Sequence, residues 1–218
     1  MTSSRAFAIM IIAVSQVAAM ALWFSASAIV PTLESEGRLD PQTASLFTSA
    51  VQFGFVVGTL VSAALGLADR LDPRTFFMTS ALVAAAANTV ILFVEPASPT
   101  VIAMRFVTGV CMAGIYPVGM KLATTWARGD MGLMVGLLVG ALTLGSASPH
   151  LFNALGGVDW RFTIVTASVS AVLAAVAIRF VAIGPNVAKS PPFDPRLALR
   201  AWTTPSLRLA NLGYLGHM

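Results

Sequence analysis

Long stretches without any charged side chain dominate this sequence. Five of them contain no Asp, Glu, Lys or Arg, and they cover residues 6–30, 41–68, 75–94, 131–158 and 162–178. A sixth stretch, residues 96–126, is interrupted only by Arg105 and Lys121. An α-helix rises about 1.5 Å per residue, so roughly 20 residues cross the hydrocarbon core of a bilayer. Once residues 180–183 are added to the last stretch, the pattern predicts six transmembrane helices.

The composition excludes an ordinary soluble domain. Hydrophobic residues make up 57% of the 218 residues and charged residues only 10%, whereas soluble domains carry about 25% charged residues. Transmembrane strands are disfavoured because the stretches are continuously apolar, without the alternation of a membrane barrel. The predicted fold class is an all-α membrane protein, with the lipid bilayer as its first partner.

A different kind of segment follows the predicted helices. Residues 1–183 form the predicted six-helix transmembrane domain. Residues 184–206 hold five prolines among basic residues, which indicates a cytoplasmic linker. Within it, an Asp-Pro pair at 194–195 favours a short surface helix over residues 196–202. Residues 207–218 are apolar again and predict the start of a seventh helix that is cut short.

The basic residues are divided unequally between the two sides of the predicted membrane. With six spans, both termini and the second and fourth loops share one side. That side holds Arg5, Arg70, Arg74, Lys121, Arg128, Arg179, Lys189, Arg196, Arg200 and Arg208. The other side holds Arg38 and Arg161. The positive-inside rule predicts that both termini are cytoplasmic, and the excess of basic residues reflects topology rather than a nucleic acid partner.

The first apolar run looks at first like an export signal, because Arg5 precedes it and residues 26–28 resemble a cleavage site. A run of about 25 residues is too long for that and predicts a retained helix. The single cysteine, Cys111, lies in the fourth span and cannot form an intrachain disulfide. No metal-ligand spacing is present, so we expect no metal and no cofactor.

The fourth span carries a charge where the bilayer makes charge costly. A buried guanidinium costs about 2.5–3.5 kcal/mol at mid-bilayer on insertion scales. Arg105 either extends outward to the interface or has an interior role, and the small residues that follow it favour the second interpretation. On a straight helix, one face of this span carries Arg105, Gly109, Met112, Tyr116 and Gly119.

Other spans carry polar residues at helical spacing. Gln16, Trp23 and Ser27 align in the first helix, and a second strip consists of Ser45, Thr48, Gln52 and Thr59. The two amides are the stronger signal, because an amide facing lipid leaves several polar atoms unsatisfied. Helices that each turn a polar strip inward enclose a water-accessible cavity, which indicates transport. The candidate cavity or substrate-binding residues are Arg105, Tyr116, Trp23, Gln16 and Gln52.

The loop between the second and third spans resembles a signature of the major facilitator superfamily of secondary transporters. It reads GLADRLDPR, in which Gly66, Asp69, Arg70 and Arg74 match the superfamily's glycine, Asp-Arg pair and further basic residue. The resemblance implies that this loop is a conformational latch on the cytoplasmic side. The glycine lies one position nearer the aspartate than usual, and an Asp-Pro pair stands where Gly-Arg is expected.

Further stretches are similar to the same superfamily. RFVTGVCMAGIYPVG resembles its fourth-helix motif, with matches at Arg105, Gly109, Ala113 and Gly114. GGVDWRF, residues 156–162, is similar to its short fifth loop. The fifth helix matches the antiporter motif in part, through Gly136, Gly140 and Gly145. The resemblance implies a buried arginine that takes part in coupling, and these small residues are the predicted helix-packing positions.

The resemblance also implies that the chain is one half of a larger transporter. Superfamily transporters consist of two six-helix halves, each made of two inverted three-helix repeats, which rock about a site at the membrane midplane. The implied partners are a small-molecule substrate and a missing carboxyl-terminal half. The implied location is the cytoplasmic (inner) membrane.

The predicted function is secondary active transport, and no enzymatic activity is expected. No Asp or Glu lies within a predicted span, so Arg105 as the one deeply placed charge favours an anionic solute. One alternative is a non-transporting membrane subunit or sensor. Another is a six-span intramembrane serine protease, whose only base would be His150, with Ser146 and Ser148 on the same helix.

Overall fold

A computed structural model describes residues 4–156, 159–187 and 202–217. Within these ranges the regular structure is helical, so the described part of the chain is all-α, as predicted. The helices are α1 (Arg5–Ser35), α2 (Pro41–Leu65), α3 (Leu67–Arg70), α4 (Pro73–Val90), α5 (Pro99–Met112), α6 (Tyr116–Thr124), α7 (Met131–Gly156), α8 (Trp160–Ala177) and α9 (Pro205–His217). A 3-10 turn, Ile178–Phe180, follows α8.

Asp-Pro pairs set where two of the helices begin. The carboxylate of Asp40 accepts hydrogen bonds from the first backbone N–H groups of α2, and Asp72 does the same for α4. A proline follows each aspartate at a position whose N–H would have no helical partner, so the missing donor costs nothing there. Gly66 ends α2 with φ at 62°, a left-handed conformation that glycine adopts without strain.

Five described helical segments are long and apolar enough to cross a membrane, namely Arg5–Ser35, Pro41–Leu65, Pro99–Thr124, Met131–Leu155 and Trp160–Phe180. The helix α4 has 18 residues, and Arg74 and Asn88 lower its mean hydropathy. The chain is therefore a multi-pass membrane protein, whereas the count of six spans stays a prediction.

The first span is longer than the sequence pattern suggested. Its helix continues past Val30, through Pro31, to Ser35. Glu34 consequently lies in the last turn of α1, where its side chain is exposed. The predicted span boundaries enclose no acidic residue, whereas the full length of α1 includes Glu34.

The fourth span is interrupted. Residues 113–115 form a turn between α5 and α6, closed by hydrogen bonds to carbonyls three residues earlier. Pro117 explains the interruption, because its ring clashes with the carbonyl of residue 113 and it offers no N–H to that carbonyl. The sequence-based alignment of Tyr116 with Arg105 assumed one continuous helix, and the helix is interrupted between these two residues.

The helices pack in a pattern that repeats between two groups of three. The helix α1 packs along α7 and α8, while α5 packs along α2 and α4. The third members of the groups, α4 and α8, pack against each other. If α1 is equated with α5–α6, α2 with α7 and α4 with α8, each contact in one group has a counterpart in the other. The contact of α1 with α7 corresponds to that of α5 with α2, and the contact of α1 with α8 corresponds to that of α5 with α4. Two three-helix repeats related by pseudo-symmetry are expected to show this pattern.

Charged side chains lie at two ends of the bundle. At one end, Arg38 and Arg161 both lie over the ring of Trp160, 5.6 Å and 4.8 Å from its centroid. At the other end, Arg5 pairs with Asp130. The length of α1, roughly 45 Å, separates Arg5 from Arg38. This separation matches the predicted grouping of the basic residues, and which end faces the cytoplasm stays a prediction.

The residues after α8 are attached to the end of α6. The backbone N–H of Gly184 donates to Thr125 Oγ1 at 2.9 Å. Asn186 donates from its backbone to the Thr125 carbonyl at 3.1 Å, and from its side chain to the Ala127 carbonyl at 2.6 Å. The first residues of the predicted linker therefore pack against the helical bundle.

The rest of the linker is mostly outside the described residues. Residues 188–201 are not described, and the short helix predicted over 196–202 falls among them except for Trp202. The helix α9 begins at Pro205 and covers most of the predicted seventh helix. The proposed domain boundaries at 183 and 206 stay predictions.

Candidate functional site

Arg105 lies in the interior of the bundle, on the second turn of α5. The residue is 0% exposed. Its Nη1 donates to the Leu22 carbonyl at 3.0 Å, and its Nη2 donates to the Trp23 carbonyl at 2.6 Å. The guanidinium therefore joins α5 to two consecutive carbonyls of α1, and the interpretation in which Arg105 extends to the interface is wrong.

Asn88 of α4 brings two more helices into contact with this arginine. Its Oδ1 accepts from Arg105 Nη1 at 3.3 Å and lies 3.0 Å from the donating hydroxyl of Ser25 in α1. Its Nδ2 donates to Ser168 Oγ at 3.0 Å and to the Ile164 carbonyl at 3.4 Å, both in α8. We call Ser25, Asn88, Arg105 and Ser168 the arginine cluster, and all four are buried.

The arginine cluster holds a cation with neutral groups. The ion pairs among the described residues involve Arg5, Arg38, Arg74 and Lys121, and none involves Arg105. Hydrogen bonds to charged groups contribute about 1.5–3 kcal/mol each, which offsets part of the cost of burying the ion. The Nε atom has no hydrogen-bond partner among the described residues. Arg105 is therefore a fixed positive charge inside the bundle.

The two candidate residues of the first helix have different surroundings. Trp23 is half-buried, and its ring packs edge-on against Phe55 of α2 with 4.9 Å between centroids. Gln16 is 0% exposed, and its amide has no hydrogen-bond partner in the described part of the chain. A Cβ at Gly119 of α6 would overlap Gln16 Oε1. Gln16 thus lies between α1 and α6, shielded from any open cavity.

Tyr116 and Gln52 differ in exposure. Tyr116 begins α6 and packs, half-buried, against the main hydrophobic core. Gln52 is exposed on α2, as is Ser45, and the Ser45 hydroxyl donates to a carbonyl of its own helix. Within the polar strip of α2, Ser45 and Gln52 therefore lie on the outside of this bundle, whereas Thr48 and Thr59 are half-buried. Of the candidate residues, Trp23 contacts Arg105 through its backbone carbonyl, whereas Gln52 lies on the outer surface.

The predicted latch loop is bound to α6 through Lys121. Lys121 donates to the Ala68 carbonyl at 2.7 Å and forms an ion pair with Asp69. Within the loop, Arg74 donates to Asp72 at 2.8 Å, and this hydrogen bond lowers the pKa of Asp72 to about 2. The contacts fix the loop against the bundle, while a role as a conformational latch stays a prediction.

The other two latch residues contribute differently. Gly66 provides the left-handed turn between α2 and α3. Arg70 is exposed. Arg74 additionally reaches the Val181 carbonyl at 3.4 Å, which connects this loop to the segment after α8.

Four of the predicted packing residues lie where helices approach closely. A Cβ at Gly109 would overlap the Val51 carbonyl oxygen, so α5 and α2 touch backbone to backbone. A Cβ at Gly114 would overlap the Ser80 hydroxyl of α4. The other two contacts are Ala113 beside Gly58, and Gly145 beside Met20.

Gly136 and Gly140 have different surroundings from the other packing residues. A Cβ at either position would meet nothing within 4 Å. Both line an open groove of about 870 Å³ between α1 and α7, with Val14, Val17 and Leu144 among its walls. These glycines therefore mediate no close contact between the described helices.

The protease alternative finds no support in the described residues. The Ser146 hydroxyl donates to the Thr143 carbonyl at 2.7 Å, and that of Ser148 donates to the Gly145 carbonyl at 2.9 Å. His150 is exposed. No group of three His, Cys, Asp or Glu side chains in the described ranges could hold a metal ion.

A comparison with known families decides the identity. The family model of the Major Facilitator Superfamily matches residues 12–214. The chain belongs to this superfamily. No curated protein matches it. Major facilitator proteins are membrane transporters rather than enzymes, so the resemblance found in the sequence and the coarse prediction of transport are confirmed.

Sequence reasoning missed three members of the arginine cluster in this superfamily protein. Asn88 is the one amide in the run ALVAAAANTV, residues 81–90, and that isolation was a usable signal. Ser25 and Ser168 offered no such signal, because serines in membrane helices commonly bond to their own backbone.

Proposed function

We propose that this chain is the amino-terminal half of a secondary active transporter that moves a small anionic solute across the cytoplasmic membrane by alternating access. Membership of the superfamily supports transport. The observation that supports an anion is Arg105, a buried cation whose hydrogen-bond partners are neutral. The described acidic residues lie in loops, in α3 or in the last turn of α1, so they leave this charge uncompensated.

Two surface features support the need for a second half. The α2 strip exposes Ser45 and Gln52, although α2 is apolar enough to span a membrane. The groove beside Gly136 and Gly140 is open, and its lining combines small residues with larger apolar ones such as Val14 and Leu144. The small residues suit close approach of another helix. A second six-helix bundle would cover the groove and would turn the α2 strip toward an internal pathway.

The test is a transport assay on the full-length protein that contains residues 1–218. Proteoliposomes are supplied in turn with anions (phosphate, lactate, benzoate), a cation (tetraphenylphosphonium) and a neutral solute (glucose). We expect saturable uptake of at least one anion above protein-free vesicles. Arg128→Ala, which removes an exposed arginine, is the control for charge loss and should leave the uptake unchanged. Saturable uptake confined to the cation or to glucose would refute the anion proposal.

A further inference from the structure

The carboxamide of Asn88 uses both of its ends in the arginine cluster. Its oxygen faces two donors, Arg105 Nη1 and the Ser25 hydroxyl, at 3.3 Å and 3.0 Å. Its nitrogen faces two acceptors in α8, Ser168 Oγ at 3.0 Å and the Ile164 carbonyl at 3.4 Å. The residue is 0% exposed, so water does not supply alternative partners.

These partners fix which way the carboxamide points. An amide flip would bring the Asn88 NH₂ group against the guanidinium, donor against donor, and would bring the oxygen against the Ile164 carbonyl, acceptor against acceptor. Neither contact is a hydrogen bond, and unsatisfied groups in a buried site are costly. The guanidinium and the Ile164 carbonyl therefore together determine that the Asn88 oxygen points at Arg105.

We propose that Asn88 is a positioning residue for Arg105, and that Ser168 acts through it, so that the placement of the guanidinium depends on the contact between α4 and α8. The carbonyls of Leu22 and Trp23 hold Arg105 from the side of α1, and Asn88 holds Nη1 from the side of α4. A movement that separates α4 from α8 would release the carboxamide and with it one support of the guanidinium. The consequence for transport rests on the proposed function, whereas the positioning itself does not.

A spectroscopic test reads the position of Arg105 without any solute. The purified full chain is labelled with ¹⁵N-arginine in detergent micelles, and the guanidinium signals of Arg105 are assigned by their absence in Arg105→Lys. Restricted rotation of the buried guanidinium should give slowly exchanging Nη signals in the wild type. Asn88→Leu should broaden or abolish them, because Nη1 loses the carboxamide oxygen and keeps only the Leu22 carbonyl and the more distant Ser25 hydroxyl as acceptors.

Two further variants keep the test decisive if Asn88→Leu fails to fold. Ser168→Ala removes the nearer of the two acceptors in α8 and should broaden the same signals. Its matched control is Ser170→Ala on the same helix, whose hydroxyl bonds to the Ala18 and Ala167 carbonyls outside the cluster, and this variant should leave the signals unchanged. Wild-type Arg105 signals in both Asn88→Leu and Ser168→Ala would overturn the proposal.

Transport separates this proposal from the proposed function. Asn88→Asp keeps an acceptor for Nη1, and its second oxygen accepts from the Ser168 hydroxyl in place of the lost NH₂ contact. The guanidinium should therefore stay ordered while the new carboxylate neutralises its charge. Anion uptake by the full-length protein should then fall by about one to two powers of ten, the size of one hydrogen bond to a charged group. An ordered Arg105 with wild-type anion uptake would contradict the role of the charge and leave the positioning intact.

Discussion

Arg105 shows how a single charged residue is accommodated inside an apolar bundle. Each carbonyl oxygen has two acceptor sites, so the carbonyls of Leu22 and Trp23 can receive the guanidinium without any break in α1. Two N–H groups at a fixed angle meet two consecutive carbonyls, a match that the planar fork of arginine permits and a lysine ammonium does not. The identity of this residue is therefore set by geometry as well as by charge.

The first prediction concerns this residue in the full-length transporter. Arg105→Ala should reduce uptake to background, because the fixed charge is lost, while membrane abundance stays near that of the wild type. Arg105→Lys should also transport poorly, since one ammonium cannot occupy both positions of the fork. Initial uptake rates divided by abundance on an immunoblot measure the effect. Wild-type rates in Arg105→Ala would show that the cluster has a structural role alone.

At the scale of elements, glycines decide how closely α2 and α5 approach. Gly109 lies against the Val51 carbonyl, and Gly54 lies against the Phe106 carbonyl. These two contacts face in opposite directions across one interface, so each helix presses its glycine onto the other backbone. Because backbone atoms cannot rotate away, a methyl group at either position forces the helices apart.

The second prediction compares two alanine substitutions at glycines. Gly109→Ala should lower the free energy of unfolding of the chain by about 1–3 kcal/mol, as expected for overpacking. Gly136→Ala meets open space and should be neutral or stabilising, since alanine favours a helix over glycine by about 1 kcal/mol. Thermal unfolding in one detergent, followed by circular dichroism, gives the comparison. Equal unfolding temperatures for the two variants would contradict the close α2–α5 contact.

The elements differ in how far the sequence could predict them. The apolar runs located α1, α2, α7 and α8 because the period and length of such runs are local properties. The turn after Met112 was missed because the helical wheel assumes a continuous helix, although Pro117 was a visible sign against it. The attachment of Gly184 to Thr125 was also missed, because the two lie 59 residues apart. The burial of Arg105 followed from its neighbours in sequence, whereas its partner Asn88 depends on tertiary packing.

At the scale of the whole molecule, the two ends of the bundle carry different charge patterns. Arg38 and Arg161 gather on Trp160 at one end. Arg5 pairs with Asp130 and Lys121 with Asp69 at the other. The positive-inside rule predicts that the second, more basic end faces the cytoplasm, and with six spans both termini are then expected there.

The third prediction tests that orientation. A phosphatase reporter that is active only in the periplasm, fused after Met218, should be inactive, and the same reporter inserted after Arg38 should be active. Fluorescent protein fused at the same two positions should give the reverse pattern. An active phosphatase after Met218 would refute the count of six spans or their orientation.

The central claim is that these helices are one half of a transporter and depend on a second half. Saturable solute flux in liposomes tests it most directly, with two preparations at equal protein density: residues 1–218 alone, and the full-length protein that contains them. The shorter chain should insert and give no saturable anion flux above empty vesicles, because its α2 strip and its groove lack their partner. The full-length protein should give saturable flux that Arg105→Ala abolishes. Saturable flux from residues 1–218 alone would contradict the account and indicate a small oligomeric transporter instead.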